Sequence, residues 1–441
     1  MTFAQAHAYV LELVSETGSR SEPYRLDRMR RFLEELGNPQ ERYPTIHVGG
    51  TSGKGSTSVM IASALSAAGK RTGLHTKPHL RSVVERAKID GAPVSEERFA
   101  ELIEALIPAM DRIAVEFTRP SYYETLLALT FLYFAQEEVD VAVIEVGVGG
   151  KLDGTNVLHP LVSLITNVGL DHTDILGDTV EQIAADKAGI AKPGVPLLSA
   201  VDRPEARAVI EAQCAKVGAP FLFVPDLVKI QEAEAETSGQ RFTLKTPEAK
   251  YRIELPLLGE FQQRNAACAV LALEQLPPRL RPARDDVERG LAHVDLPGRM
   301  EYFPTHPAVI FDVAHNPDKA ENLVRSLRAL FPDRRFTFVI AIGESKDAGE
   351  ILRVFAQVPA TLIFTSFEAR GRAAAKPQRL ANIAETAGLW GRAVTDPVEA
   401  FTIARRNASS DEIVVVTGST FVVAELREWW MENVVASRAA H

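Results

Sequence analysis

Short apolar runs alternate with longer segments of helical periodicity along most of the chain. Several of these runs show no regular polar alternation, which is typical of strands covered by helices on both faces of a parallel sheet. The predicted strands of this kind are residues 45–49, 139–146, 161–167, 196–200, 309–313, 336–342, 361–365 and 413–417. We therefore predict an α/β fold in which strands and helices alternate.

The alternation is interrupted between residues 220 and 258. Segments 221–224, 241–245 and 252–257 are strand-like and have no long helix between them. Such a series predicts a small antiparallel unit rather than a continuation of the parallel sheet. A helix is predicted directly after it, over residues 261–276.

A domain boundary is predicted at the turn DLPGRM, residues 295–300, which follows a stretch rich in Pro and Arg. Residues 1–296 would form the N-terminal domain, with a mostly parallel sheet and helices on both faces. Residues 297–441 would form a smaller, Rossmann-like α/β domain. Ahead of the first strand, the first 20 residues predict an amphipathic helix.

The overall charge is acidic, since 49 Lys and Arg residues stand against 58 Asp and Glu residues, for a net charge of −9. Without a block of Lys or Arg, this balance argues against nucleic acid or an anionic membrane as a partner. Two cysteines, Cys214 and Cys268, are too few for a disulfide framework. No apolar run approaches the roughly 18 residues of a membrane-spanning helix. The first residues lack the basic start of a signal peptide. We expect a soluble, cytoplasmic monomer.

A glycine-rich segment, GGTSGKGSTS at residues 49–58, lies between a predicted strand and a predicted helix over residues 56–68. Glycines let backbone N–H groups turn toward an anion, and a helix N-terminus adds positive charge. Lys54 can reach phosphates, and the hydroxyl of Ser56 or Thr57 can reach a bound magnesium ion. These features predict a nucleotide site in a domain of the P-loop ATPase type, although a plain strand-to-helix connection is the alternative. The candidate residues are Gly50, Thr51, Ser52, Gly53, Lys54, Gly55, Ser56 and Thr57.

Acidic and histidine side chains follow two further predicted strands. Glu145 ends the strand at 139–146, and Asp171 and His172 follow the strand at 161–167. Because the carboxyl ends of parallel strands meet at one edge of a sheet, Glu145 and His172 are candidate magnesium ligands. The alternatives are a solvent-facing carboxylate and a structural histidine.

The phosphate loop departs from the general pattern because Gly55 separates Lys54 from Ser56. This form resembles the loop of the Mur ligase superfamily, and most closely its folylpolyglutamate synthase/dihydrofolate synthase family. Other segments resemble the same family in the same order, from residue 50 to about residue 425. They are EVGVGGKLDGTN (145–156), NVGLDHTDILGDTVEQIAADKAGIAKPG (167–194), LLGEFQQRNAACA (257–269), LPGRME (296–301), FDVAHNP (311–317) and VVTGSTFV (415–422).

The resemblance implies an ATP-dependent amide ligase. A carboxylate of folate or dihydropteroate would attack the γ-phosphate of ATP, and the amine of L-glutamate would then displace phosphate from the acyl phosphate. One or two Mg²⁺ ions would be bound, with Ser56, Glu145, His172 and Lys187 as ligands. Lys187 would serve as a carbamate, whereas a lysine paired with phosphate or with Asp186 is the alternative.

The resemblance also implies roles for side chains elsewhere in the chain. Lys54, Lys187, Arg299 and His315 would be catalytic. The further nucleotide contacts would be Gln262, Asn265, Arg299 and Asp312. The candidate substrate-binding residues are His79, Tyr122, Tyr123 and Asp153. Closure of the two domains during turnover is expected from this division of roles.

The sequence departs from the family pattern at several positions. Lys77, in TKPHL, stands where the family has a serine, and Lys151 stands where it has an arginine. Phe261 replaces a histidine ahead of the Gln262 and Asn265 pair. Two other functions remain open at this point: a Mur-type ligase with another carboxylate acceptor, and a regulatory P-loop ATPase that performs no ligation.

Overall fold

The computed structural model describes residues 1–14 and 26–436. It contains two compact units. The first comprises most of the chain up to Val294, and the second comprises the chain from Asp295 together with two short segments, Ala235–Gln240 and Leu257–Glu260. Within the described residues, no helix is both long enough and apolar enough to span a membrane.

The first unit is built on an eight-stranded sheet. In chain order its strands are β1 (Thr45–Gly49), β2 (Thr72–His75), β3 (Ala87–Ile89), β4 (Ala92–Pro93), β5 (Val141–Glu145), β6 (Val162–Ile165), β7 (Leu197–Ser199) and β8 (Phe221–Phe223). Across the sheet the order is β4-β3-β2-β5-β1-β6-β7-β8. All neighbouring pairs are parallel except β2–β3 and β3–β4. The central strands β1 and β5 are buried along their whole length, as their apolar sequences predict.

Helices cover both faces of this sheet. They are α1 (Phe3–Glu12), α2 (Leu26–Glu35), α3 (Lys54–Ala67), α4 (Glu96–Glu116), α5 (Tyr122–Gln136), α6 (Thr173–Leu176), α7 (Val180–Lys187), α8 (Pro204–Val217), α9 (Val224–Leu227), α10 (Phe261–Glu274) and α11 (Arg284–Ala292). One apolar core joins α1, α2, α4 and α5 to Ala142 and Ile144 of β5. A second core joins α7 and α8 to Ile165 and Leu197 of the sheet. The α/β fold with a mostly parallel sheet is thereby confirmed.

A separate three-stranded sheet follows, with β9 (Lys229–Glu236), β10 (Gly239–Lys245) and β11 (Lys250–Leu255) in the order β11-β10-β9. The prediction that residues 221–224 belong to this unit was wrong. Phe221–Phe223 form β8, which pairs in parallel with β7 and ends the main sheet. The missed third strand is β9, whose eight residues are all exposed, so it has no apolar pattern to indicate it.

The second unit carries a six-stranded sheet. Its strands are β12 (Glu301–Phe303), β13 (Ala308–Phe311), β14 (Arg335–Ile340), β15 (Ala360–Phe364), β16 (Gly391–Ala393) and β17 (Glu412–Thr417), in the order β12-β13-β17-β14-β15-β16. Only β12 is antiparallel to its neighbour. Its helices are α12 (Pro317–Leu330), α13 (Ala348–Phe355), α14 (Pro377–Thr386), α15 (Pro397–Asn407) and α16 (Thr420–Trp430).

The N-terminal prediction is borne out in part of its length, since α1 spans Phe3–Glu12 and is amphipathic, with Ala6 and Val10 buried. The rest of that prediction includes residues 15–20, which lie outside the described residues. Helix α3 begins at Lys54, two residues before the predicted start at residue 56, and so includes Lys54 and Gly55 in its first turn.

Two fully buried histidines in the main sheet predict loss of stability in acid. Burial lowers the pKa of His47 to about 4 and the pKa of His75 to about 3. Between those values and the ordinary value near 6.5, the unfolded chain binds a proton that the folded chain does not. The free energy of unfolding should therefore fall with falling pH, by about 2 kcal/mol for each histidine at pH 5.

Urea unfolding between pH 7.5 and pH 4.5 measures this effect. A His75→Asn variant should lose part of the slope, and substitution of the exposed His159 by Asn should leave the slope intact. An unfolding free energy that is flat between pH 6.5 and pH 5 in the wild-type protein would contradict the prediction.

Candidate active site

The carboxyl ends of four parallel strands meet at one edge of the main sheet. Strands β1, β2, β5 and β6 are adjacent in the order β2-β5-β1-β6 and all run in the same direction. The phosphate loop follows β1, Lys77 follows β2, Glu145 ends β5, and Thr166 and Asn167 follow β6. In open α/β sheets this edge is where ligands bind.

The phosphate loop is held in place by the residues that follow β6. Asn167 accepts hydrogen bonds from Thr51 N on its carbonyl, at 3.0 Å, and from Ser52 N on its side chain, at 2.6 Å. The hydroxyl of Thr166 donates to the carbonyl of Ser52 at 2.6 Å. Neither residue was assigned to the site from the sequence, since both fall within the predicted strand at 161–167, whereas β6 ends at Ile165.

Glycine is required at two positions of the loop. Gly50 has φ +135° and Gly53 has φ +82°. A Cβ atom on Gly50 would overlap the Thr166 hydroxyl, and one on Gly53 would overlap the side-chain oxygen of Asn265. Helix α10 thus abuts the loop through Asn265, whose amide donates to Gln262 at 2.8 Å. The structure therefore brings this predicted pair to the predicted loop.

Several polar atoms of this region have no protein partner among the described residues. They are Ser52 Oγ and Thr57 Oγ1 in the loop and Gln262 Nε2 on α10. Thr57 and Gln262 are fully buried, and Ser56 is 4% exposed. Buried polar atoms without partners are costly, so their concentration here fits a polar ligand such as a phosphate with its magnesium ion.

Two lysines converge on the carbonyl of Gly50 in the loop. Lys54 Nζ donates to the carbonyls of Gly50 at 2.8 Å and Thr51 at 3.3 Å. Lys187 Nζ, on a side chain that is 4% exposed, donates to the same Gly50 carbonyl at 3.1 Å. Burial, reinforced by repulsion from Lys54, lowers the pKa of Lys187 to about 7.

Lys77 adds a third positive charge at the same edge. Its backbone N–H donates to Glu145 Oε2 at 3.0 Å. That carboxylate is buried and faces the loop, since its Oε2 lies 3.5 Å from where a Cβ of Gly55 would be. Burial and repulsion from Lys54 lower the pKa of Lys77 to about 8, against the attraction of Asp153 and Glu145.

Only some of the candidate metal ligands have the oxygen atoms that suit magnesium. Ser56 and Glu145 supply oxygen atoms, which Mg²⁺ prefers. His172 has a left-handed backbone, with φ 52°, and its Nε2 lies 4.0 Å from Asp171 Oδ1. Within residues 1–14 and 26–436, no three His, Cys, Asp or Glu side chains cluster closely enough to hold a metal by themselves. An oxygen ligand set would need groups of other kinds, such as a hydroxyl or a modified lysine.

The candidate substrate residues fall into two groups, and contacts join the members within each group. Tyr123 donates its hydroxyl to Asp153 Oδ1 at 3.0 Å, and that carboxylate also accepts from Val148 N at 2.8 Å and from Thr155 N at 3.0 Å. Asp153 is therefore held rigidly inside the protein. In the other group, Arg86 Nε donates to His79 Nδ1 at 3.1 Å, and its guanidinium carbon lies 5.3 Å from the Tyr122 ring centre.

The predicted residues of the second unit are assembled around Asp312, which follows β13. Its carboxylate accepts from Met300 N at 2.9 Å and Ala314 N at 2.8 Å, and it feels the positive charge of Arg299. Burial raises the pKa of Asp312 despite these contacts. His315 lies 2.8 Å from the Val313 carbonyl through Nδ1, and Lys319 Nζ lies 3.1 Å from its Nε2. Arg299, Asp312 and His315 therefore share one edge of the second sheet.

Comparison with known proteins finds two Mur ligase domains in this chain, one after the other. Residues 48–273 match the Mur ligase middle domain, and residues 298–420 match the glutamate ligase domain of Mur ligases. The dihydrofolate synthase/folylpolyglutamate synthase of Bacillus subtilis is 34% identical over 91% of this chain and 94% of that protein.

Solved structures agree over the whole length. Folylpolyglutamate synthase of Mycobacterium tuberculosis complexed with ADP has a TM-score of 0.89 and 30% identity, over 97% of this chain and 98% of that one. Escherichia coli FolC in complex with DHPP and ADP has a TM-score of 0.86 and 28% identity, over 100% of this chain and 99% of that one. The chain is an ATP-dependent ligase of the Mur ligase superfamily and belongs to its folylpolyglutamate synthase/dihydrofolate synthase family.

Proposed function

We propose that this ligase joins L-glutamate to the carboxylate of a folate or of dihydropteroate through an acyl phosphate. The observation that carries the proposal is the convergence of the glycine loop, three lysines and Glu145 at one edge of the main sheet. Relatives named for both reactions, and a related structure bound to DHPP and ADP, support this acceptor class.

In the proposed reaction, the protein binds and orients the substrates and forms no covalent bond with them. The backbone N–H groups at the start of α3 face the phosphates, and Lys54 neutralises the charge that develops on the transferred γ-phosphoryl group. Phosphoryl transfer needs this positioning and charge stabilisation above all. Arg299, Asp312 and His315 are proposed as further nucleotide and catalytic residues on the resemblance of their segments.

Magnesium fits the donors of this edge, and when bound it would neutralise negative charge on the phosphates. Ser56 and Glu145 would hold it, together with His172 and a modified Lys187. The oxygen atoms of Ser56 and Glu145 are both buried beside the loop, which supports this assignment.

Release of ADP by the purified protein tests the proposed function. With MgATP and L-glutamate present, either dihydropteroate or a reduced folate should raise ADP release, and a glutamylated product should appear by mass spectrometry. A uridine muramyl precursor serves as the control acceptor. Stimulation by that precursor alone would favour a Mur-type ligase for another carboxylate, and ATP hydrolysis that no acceptor changes would favour a regulatory ATPase.

We further propose that Lys187 carries a carbamate. A carbamate would turn one of three neighbouring cations into an anion, which relieves their mutual repulsion and supplies an oxygen ligand for magnesium. Carbon-13 NMR of protein equilibrated with labelled bicarbonate should show one protein-bound carbamate signal. The signal should vanish in Lys187→Met and persist when the exposed Lys216 is replaced by Met. A wild-type spectrum without the signal would exclude the carbamate.

We predict that Lys77 makes nucleotide binding depend less on magnesium than it would with serine at this position. Its positive charge at the Glu145 edge can neutralise phosphate without a metal. Lys77→Ser should weaken the binding of ADP in the absence of Mg²⁺ by about tenfold, while binding in saturating Mg²⁺ changes less. Titration calorimetry with and without Mg²⁺ measures both, and Lys77→Arg is the control that retains the charge. Equal metal-free affinity in wild type and Lys77→Ser would contradict this role.

A further inference from the structure

We infer that Arg86 fixes His79 as a neutral imidazole with its proton on Nε2, so that His79 offers its ligand a hydrogen-bond donor and no acceptor. Arg86 is thereby a positioning residue for the candidate substrate residues His79 and Tyr122. The inference rests on the proposed function in so far as the ligand of these residues is the acceptor substrate.

The contact between the two side chains determines the tautomer. Arg86 Nε lies 3.1 Å from His79 Nδ1. A guanidinium group only donates, because it has five N–H groups and no acceptor. His79 Nδ1 must therefore be the unprotonated acceptor, and a neutral ring must then carry its proton on Nε2.

The charged form of His79 is excluded by the same contact. A proton on Nδ1 would face the Arg86 N–H directly and would break the hydrogen bond. Burial and the positive charge of Arg86 lower the pKa of His79 to about 4, with a smaller contribution from His7, and Glu85 acts in the opposite direction. Glu85 is otherwise engaged, because its carboxylate accepts from the backbone N–H groups of Leu80, Arg81 and Ser82 at 2.8–3.0 Å.

Three elements hold this arrangement together. His79 lies in the loop after β2, Arg86 ends the 3-10 turn Val83–Arg86, and Tyr122 begins α5. Arg86 stacks against the Tyr122 ring while it binds His79, with 5.3 Å from its guanidinium carbon to the ring centre. The Glu85 carboxylate anchors the loop that runs on from His79. Arg86 is thus constrained from two sides, which limits rotation of the imidazole it binds.

The polarity of His79 selects the chemistry of the ligand group that meets it. His79 is partly exposed, and no group in the described part of the chain forms a hydrogen bond with its Nε2. A carbonyl or carboxylate oxygen can accept a hydrogen bond from Nε2–H. An ammonium or planar amino group would instead place its own N–H donor against the Nε2–H donor. The ligand group that meets His79 is therefore an acceptor oxygen, such as that of a carbonyl or a carboxylate.

Nitrogen-15 NMR of histidine-labelled protein tests the tautomer directly, with His79→Gln used to assign the signal. Wild-type His79 should show an unprotonated Nδ1 and a protonated Nε2 at every pH from 8 to 5. Arg86→Met should give mixed tautomers and a midpoint of titration closer to pH 6.5. Arg71→Met, at the opposite end of β2, is the control and should leave the His79 signal unchanged. A proton on Nδ1, or an imidazolium at pH 6 in the wild-type protein, would overturn the inference.

Kinetics then test the specificity. Arg86→Met should raise KM for the acceptor substrate about tenfold, with a smaller change in kcat and none in KM for ATP. Arg86→Lys retains the charge but not the planar fork, and should show an intermediate KM. Equal KM values for the acceptor in wild type and Arg86→Met would overturn the positioning role. The NMR result does not require turnover, so its failure is distinct from a failure of any acceptor to stimulate ADP release.

Discussion

Replacement of Lys54 by Ala is expected to lower kcat/KM for ATP by about a thousandfold. The ammonium group lies at the mouth of the phosphate loop, where it contacts the Gly50 and Thr51 carbonyls. Removing a charge that stabilises the transferred phosphoryl group costs on the order of 10²–10³ in kcat, and weaker ATP binding adds to this loss. Steady-state ADP release in the presence of L-glutamate and the acceptor measures the effect.

The matched control is Lys216→Ala, which removes an exposed lysine from α8 of the same unit. It should leave kcat/KM unchanged. Lys54→Ala should also unfold at about the wild-type temperature, because the lost contacts are two partly buried hydrogen bonds to carbonyls rather than core packing. Turnover retained within a few fold of the wild type would contradict the assignment of the phosphate loop.

Replacement of Arg28 by Met is expected to lower the free energy of unfolding by about 3–5 kcal/mol. Arg28 and Glu124 form a buried two-point ion pair, with Nε–Oε1 at 3.1 Å and Nη2–Oε2 at 2.8 Å. The two residues are 8% and 5% exposed. Removal of the guanidinium would leave the Glu124 carboxylate buried without its counter-charge, and that desolvation cost dominates the change.

A double-mutant cycle separates the unpaired charge from the loss of packing. Arg28→Met combined with Glu124→Gln should be more stable than Arg28→Met alone, because no charge is then left buried. Arg30→Met is the exposed control on the same helix and should cost less than about 1 kcal/mol. Urea unfolding of the wild type, of Arg28→Met, of Glu124→Gln and of the double variant measures the cycle. A double mutant no more stable than Arg28→Met would show that the carboxylate charge is not the cause.

The same ion pair affects two of the candidate substrate residues. Glu124 also accepts from Ser121 N at 2.9 Å and from the Ser121 hydroxyl at 2.7 Å, so it caps the start of α5. Tyr122 and Tyr123 occupy the first turn of that helix. An intact cap keeps the Tyr122 ring against Arg86 and the Tyr123 hydroxyl on Asp153. The Arg28→Met variant should consequently raise KM for the acceptor more than it raises KM for ATP.

Most strands that are buried on both faces were predictable, because such strands are largely apolar. Strands β1, β5 and β17 were predicted for this reason. Strand β2 is the exception, since Thr72–His75 is buried along its whole length but was not predicted. Strand β9 was missed because all of its residues are exposed, and β8 was placed in the wrong sheet. Its three residues carry a strand propensity but no information about the partner strand, which only long-range pairing with β7 provides.

For the site, the sequence by itself determined the local chemistry. The loop glycines, Lys54, Glu145 and the histidines are readable because phosphate and metal binding demand those residue types at the ends of strands. Only the tertiary structure decided what supports them: Thr166 and Asn167 beneath the loop, Asn265 against Gly53, and Arg86 on His79. Arg86 and His79 are only seven residues apart, in one loop. The other contacts join residues far apart in the chain, and the order of the strands, rather than any local pattern, brings them together.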